Sequence, residues 1–491
     1  MSESSSVSPH QHTTRRGGTG TAERHAAAGL PPADASGTAG ADPAHGPNLW
    51  LRIATEVADD LAVDAAVRDR AGKPPFDEVA RLREAGLLGF LTPPGPGGRG
   101  ADWLTACTVV RQISAADSSV GELLGRHYVL AWSPRLFAAP RTAARLEERA
   151  AAEQWLWGGN AEPAEPWSPS ERLTLTPTRA GYVLDGRREL TATTAVADRF
   201  VLAAPHADTG ETLVAVVDPA HAGVAVQSRD DRLGQRLTGA GAVTFENVPV
   251  TAGHVLGTVP RDEHAISPFT ALAPLALRLM LAQVGLGNAE GALAEARDVN
   301  RAWPQGGSDT LGLPGRRPQV HGGTYDGGHL VGGYPAQGGR TDTTTAPSSA
   351  LHDSVPLGDG YPDPLPDDPY LLLSYGELAT SAHTATAVVE RASDALARGL
   401  LAGSALGIDE RAEIAVLVAA AEAVTAQATL RITTRILELT AAADSAGHTT
   451  GLDRFWRNAR ILTALDSPGH RLRAIGDHYL NGTPPPLTLR A

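Results

Sequence analysis

Near its end the chain runs RNARILTALDSPGHRLRAIGDHYLNG, Arg457 to Gly482, with arginine, aspartate and histidine scattered among leucines. The apolar spacing predicts a helix closed by a turn at Asn481-Gly482. Asp466 and His470 stand four residues apart, so on such a helix both face one side. A carboxylate and an imidazole placed that way could do acid/base work together. A solvated face fits the same spacing, because most charges on helices meet water. A second stretch, TPPGPGGRGAD, carries glycines at 95, 97, 98 and 100 and could cradle a dinucleotide. It follows a helical pattern rather than a strand, so the fingerprint lacks its context and the segment reads as a loop.

The totals remove other chemistries. The chain has 491 residues, a formal charge of −13 and one cysteine, Cys107. That length buries a large core in two or three domains without staples. A lone cysteine excludes an internal disulfide framework and zinc sites built on paired cysteines, so no metal centre is expected and the redox setting reads as cytoplasmic. The only lysine, Lys73, lies in the turn-like AGKPPF. Schiff-base chemistry and a GxxxxGK[ST] phosphate loop both need a placed lysine, so neither is expected. The acidic balance argues against a nucleic-acid partner. No window of about eighteen uninterrupted apolar residues occurs, so no membrane span is expected. TTRRGG near the start has no apolar run behind it and does not read as a secretion signal.

The elements that would carry these residues follow from periodicity. Residues 1–47, rich in Ser, Thr, Gly, Ala, Pro and His, read as a disordered tail. Residues 48–153 form a helical domain: LWLRIATEVADDLAVDAAVRDRAG and FDEVARLREAGLLGFL read as two helices, and a further helical block runs on from Trp103. From 154 to 258 the period switches to two, which predicts a largely antiparallel β domain. From 259 to 491 long alanine-rich amphipathic patterns predict a four-helix bundle, the segment from Gly451 forming its fourth member. Residues 304–366, with five GG pairs and no period, read as a low-complexity insertion. The fold class is therefore α+β, ordered as helices, β domain and bundle.

That order and a set of phrases resemble the acyl-CoA dehydrogenase superfamily, and within it the flavin-dependent monooxygenase branch that contains dibenzothiophene monooxygenase and other sulfur-compound oxygenases. The phrases include LREAGLLGFLTPPGPGGRG, GELLGRHYVLAW, WLWGGNAEP, GYVLDGRREL, LGQRLTGAGAVTFENVPV, GLGNAEGALAEAR and DDPYLLLSYGEL. With GLDRFWRNAR and IGDHYLNGTPPP they cover about Phe76 to Pro486 apart from the insertion. The resemblance implies a homotetramer that uses reduced FMN supplied by a separate reductase, with FAD as the alternative cofactor. Oxygen and a small heteroatom-bearing or aromatic substrate would react by way of a flavin hydroperoxide.

Residue by residue, the resemblance implies an amide at Asn160, in GGNAEP beside Trp157, near the flavin's reactive edge. His127 and Tyr128 would line the substrate side. A Ser-Thr-Gly run that bonds the flavin ring corresponds to Thr191, Ala192 and Thr193, followed by Thr194, so the glycine is absent here. Arg301, with Arg297 as competitor, corresponds to the arginine that meets the flavin phosphate. The branch's two histidines on the late helix fall at Leu462 and Leu465, while Asp466 is kept and His470 is a possible replacement. Two other readings stay open. An acyl-CoA dehydrogenase would need a carboxylate base, and the last helix has no glutamate. A catalytically degenerate member would act in binding or assembly.

Overall fold

The computed structural model describes residues 47–93, 98, 100–161, 172–229, 231–260, 262–302, 368–445, 450–464 and 468–487. The predicted tail and the predicted 304–366 insertion lie outside the described residues apart from Pro47.

Seven helices come first: α1 (Pro47–Ala62), α2 (Ala65–Ala71), α3 (Phe76–Glu84), α4 (Trp103–Ala116), α5 (Ser118–Ala131), α6 (Ser133–Phe137) and α7 (Pro140–Ala152). The first predicted helix is thus two. The break after Ala62 lets Arg68 of α2 turn back, where Nη2 donates to Leu61 O at 2.7 Å and to Asp117 Oδ2 at 3.0 Å. One guanidinium thereby satisfies a carbonyl that the end of α1 leaves orphaned. Asp117 separates α4 from α5, its Oδ1 accepting from the N–H groups of Ser119 and Val120 at 3.0 and 3.2 Å. It is a side-chain N-cap, and it starts α5 at a new angle.

Two four-stranded sheets follow, ordered β1-β4-β5-β8 and β2-β3-β7-β6. The strands are β1 (Trp157–Asn160), β2 (Leu173–Thr178), β3 (Gly181–Leu190), β4 (Arg199–Pro205), β5 (Thr212–Val217), β6 (Val224–Ser228), β7 (Gly241–Thr251) and β8 (Val255–Val259). All pairings are antiparallel except β1 with β4, which is parallel. Phe200, Leu202, Leu213, Val217, Val243 and Phe245 fill the space between the sheets. The other face of the first sheet, including Val201, Val214 and Val216, packs with Leu130, Leu146 and Trp155 from the helical side. Burial on both faces explains why RFVLAAP and TLVAVV are continuous apolar runs.

The bundle comprises α8 (Leu272–Ala302), α9 (Pro369–Ala402), α10 (Ile408–Ser445), α11 (Asp453–Leu462) and α12 (Pro468–Asn481). Small residues let α8 lie close to α4: a Cβ built on Gly291 would strike the carbonyl oxygen of Ala115. By length and composition Leu272–Ala302 and Ile408–Ala441 are long and apolar enough to cross a membrane, but 78% and 56% of their apolar windows are buried inside the fold. Both serve here as core helices.

The predicted single helix over Arg457–Gly482 is two helices. A proline at 468 has no N–H to donate and disfavours helix in the residue before it, so α11 stops at Leu462 and α12 starts afresh. The turn at Asn481-Gly482 is where the spacing puts it, with Gly482 at φ +70° and its N–H donating to His478 O at 2.9 Å.

Candidate active site

The C-terminal end of β1 opens onto a cleft between the β domain and the bundle. Gly159 holds φ +108°, and a Cβ there would collide with the backbone of Val201 on β4, so glycine is needed for this edge to stay paired. Half-buried Asn160 follows it and faces the cleft. Two lobes meet at Arg126, Asn160 and Leu277. One lobe is apolar, walled by Val129, Leu130, Leu136, Phe137 and Pro274. The other, with a volume of about 220 Å³, is the more polar of the two and adds Thr191, Arg278, Glu422, Thr425, Thr429 and Arg471 beside apolar residues such as Leu281 and Leu462.

Its charges are arranged in fixed pairs. Arg126 Nε donates to Glu122 Oε1 at 2.8 Å, and Glu122 is buried. Arg278 Nε donates to Glu422 Oε2 at 2.8 Å, while Arg471 Nη2 approaches Glu422 Oε1 at 3.3 Å. Among the described residues the buried hydroxyls of Thr194, Thr425 and Thr429 have no hydrogen-bond partner. A polar ligand could satisfy such groups.

The cleft face here runs through Arg126, Val129 and Leu130 of α5, the i, i+3, i+4 stripe, and on to Ser133 at the start of α6. His127 and Tyr128 lie about 100° and 200° round the helix from Arg126 and point into the core. The expectation that they line the substrate side is corrected here. Tyr128 OH donates to Leu87 O at 3.0 Å, and burial raises its pKa well above the usual 10.0. His127 Nδ1 accepts from the N–H of Trp157 at 3.0 Å, which leaves the proton on Nε2 to donate to Leu88 O at 2.8 Å. Burial lowers its pKa to about 4, so it is neutral at ordinary pH. Together the two side chains anchor the turn after α3 and the start of β1.

Trp157, expected near the cofactor, is also core: it is 1% exposed and packs edge-on to Trp155 at 5.5 Å. Asp466 lies outside the described residues. His470 sits in the first turn of α12 and faces a neighbouring cavity with Arg411 and Pro485, not the cleft lined by Leu462. The expected shared face of Asp466 and His470 thus lies outside the described residues on the side of Asp466, and α12, which carries His470, begins at Pro468.

Comparison with known proteins places this architecture. The family model described as acyl-CoA dehydrogenase, N-terminal domain, matches residues 52–145. A probable FMNH2-dependent monooxygenase of Pseudomonas putida is 29% identical over 444 residues, 89% of this chain and 96% of that protein. A dibenzothiophene monooxygenase of Rhodococcus qingshengii is 30% identical over 444 residues, 89% of this chain and 94% of its own. This chain belongs to the FMNH2-dependent monooxygenase branch of the acyl-CoA dehydrogenase superfamily. The FMN-bound structure of a Paenibacillus sp. A11-2 relative, 28% identical, superposes with a TM-score of 0.74 over 90% of this chain and 100% of that one.

Set among these monooxygenases, the threonine run behaves in three different ways. Thr191 lines the cleft, and its carbonyl accepts from Arg232 Nη1 at 2.9 Å. Thr193 keeps the left-handed backbone that the missing glycine would favour, at φ +63°, braced by its N–H donating to Thr238 O at 2.7 Å. Its hydroxyl donates to Ala192 O, and its side chain turns toward Gly158, so its expected contact with the ring is redirected into support of β1. Thr194 contributes the unpartnered hydroxyl already noted.

Arg301 is exposed at the end of α8. It lies 16 residues beyond the cleft's Gly285, about 24 Å along the axis, so it cannot reach the cleft of its own chain. Arg297 is likewise exposed and pairs with Asp298 at 2.9 Å.

Sequence reasoning passed over Arg126, Arg278, Glu422, Thr425, Thr429 and Arg471. The signal for α10 was present: Glu422 is a lone charge in VAAAEAVTA, and 422, 425, 426 and 429 share one helical stripe. Leu462, where the resemblance implied a histidine, does line the cleft, and Leu465 lies outside the described residues.

Proposed function

We propose that this chain is a reduced-FMN-using monooxygenase of a small heteroatom-bearing or aromatic substrate, supplied by a separate reductase and working in the cytoplasm. The observation that carries this reading is the cleft, where an apolar lobe meets a more polar one at Asn160 and Arg126. The residues fit a flavin: an amide at Asn160 and hydroxyls at Thr191, Thr425 and Thr429 match the donors and acceptors of its ring, and among the described residues the hydroxyls of Thr425 and Thr429 have no hydrogen-bond partner. Reduced FMN, when bound beside Asn160, would supply the electrons that activate oxygen.

The chain's own groups supply the setting. Asn160 can donate and accept without adding charge, and the apolar lobe excludes water from the substrate. Arg126 is held in place by buried Glu122, which keeps a fixed positive charge at the junction of the lobes. Glu422, a carboxylate in the cleft, is held by an arginine on each oxygen and is not free to turn toward a substrate, which disfavours the dehydrogenase alternative. Leu462 puts an apolar side chain in the cleft wall and favours an apolar substrate.

We further propose a homotetramer in which Arg301 meets the flavin phosphate of a neighbouring copy, since it cannot reach its own cleft. The test is anaerobic titration with reduced FMN, and separately FAD, followed by mixing with oxygen while absorbance is recorded. A transient near-ultraviolet band with FMN is the expected result. Binding without that band would return weight to dehydrogenation, and no binding of either flavin would overturn the reading.

A further inference from the structure

Beside the cleft lies a second cavity of about 310 Å³, where α8, α10 and α12 meet under the C-terminal segment. Its polar lining consists of Arg278, Arg411, Arg471 and His470, with no carboxylate among the lining residues. Arg278 and Arg471 share one acid, Glu422. Glu422 thus serves two of the three guanidinium groups, and among the described residues it makes no pair with Arg411.

Arg411 is the anomaly. It is only 2% exposed, yet among the described residues it has no acidic partner; Nη1 donates to Pro485 O at 2.8 Å and Nε has no partner. Burial, reinforced by Arg278 nearby, pulls its pKa down to about 10, so it remains charged at neutral pH. A buried cation without a counter-charge is costly, and proteins that keep one generally give it an anion. The planar fork of arginine suits oxyanions in particular.

We infer that this cavity binds a small oxyanion, held by Arg411 and Arg471 with His470 at its mouth. The cavity floor, Ala415, Val416, Ala419 and Ile475, is apolar, so a sulfonate or carboxylate with a compact apolar body fits as well as inorganic sulfate or phosphate. Arg278 and Arg471 also line the oxygenation cleft, so an anion here competes with Glu422 for them and adjusts the cleft wall from behind. The inference does not depend on which substrate the cleft takes, nor on the flavin.

The experiment uses the full-length protein with FMN in excess, so that any site for the FMN phosphate is filled. Radiolabelled sulfate is measured by equilibrium dialysis at constant ionic strength set with chloride, and benzenesulfonate and inorganic phosphate are then tested as competitors. Saturable binding of one sulfate per chain is expected, weakened by about tenfold or more in Arg411→Met and less in His470→Ala, with FMN binding unchanged in both. Stronger competition by benzenesulfonate than by phosphate would identify an organic anion, and the reverse an inorganic one. Should Arg411→Met not fold, His470→Ala and the wild-type isotherm still decide. Absence of saturable sulfate binding in the wild type, or equal binding in wild type and both variants, would overturn the inference and leave Arg411 to a carboxylate of the protein itself.

Discussion

Replacing His127 with phenylalanine separates a structural role from a chemical one. The substitution removes the acceptor for the Trp157 N–H and the donor to Leu88 O, both in the buried core. Each orphaned buried group costs about 1–3 kcal/mol, so His127→Phe should destabilise the fold by about 4 kcal/mol near pH 7.5. The difference should also depend on pH. The folded pKa of about 4 lies below the ordinary 6.5, so between those values the unfolded chain takes up a proton that the folded chain refuses. The stability held above pH 6.5 is therefore lost as pH falls toward 4, by about 3 kcal/mol in total. Phenylalanine does not titrate, so the gap between wild type and variant should narrow to about 1 kcal/mol near pH 4. Urea unfolding followed by tryptophan fluorescence at a series of pH values measures it. If the variant unfolds at the wild-type urea concentration, binds reduced FMN normally and yet turns over no substrate, His127 acts in the chemistry and the structural argument is refuted.

Asp117 should show the opposite slope. Burial raises its pKa to about 6 from 3.8 despite the opposing charge of Arg68, so its contribution is fully present below 3.8 and is lost as pH rises through about 6. The stability of the wild type relative to Asp117→Asn should thus fall over that window, measured by the same unfolding series. Gly158→Ala would set a Cβ 2.5 Å from Thr193 Oγ1 and 2.7 Å from Ala197 Cβ. It should cost about 1–3 kcal/mol and weaken FMN binding by shifting the threonine loop, read by calorimetry and by flavin fluorescence. Glu422→Gln should destabilise by about 3–5 kcal/mol in thermal or urea melts, because Arg278 and Arg471 lose their common counter-charge. Asn160→Ala should lower turnover by about a hundredfold with little change in Tm, since the amide faces the cleft and not the core; unaltered turnover would remove it from the site.

The order of helices, strands and bundle was readable because each rests on a local period, 3.6 or 2, that solvent and core enforce along the chain. The apolar runs of β4 and β5 and the turn at Gly482 are equally local, whereas Asn160 was singled out only by the family resemblance. The break before α12 was also written in the chain, in the proline at 468, and was outweighed by the longer leucine pattern. Which residue of the Arg126, His127 and Tyr128 trio meets the cleft was not readable. All three lie on a helix buried nearly all round, so the choice depends on where β1 and α8 pack against it.

The pairings that give the site its charge are more distant still. Glu422 meets Arg278 across 144 residues and Arg471 across the junction of two further helices. Periodicity tells each helix which of its faces is apolar, through interactions a few residues long, and in that sense the chain alone determined the elements and their order. Only packing decides which polar residues, left over on those faces, are brought within hydrogen-bond distance of one another. That is why Arg126, Glu422 and the unpaired Arg411 came from the tertiary structure.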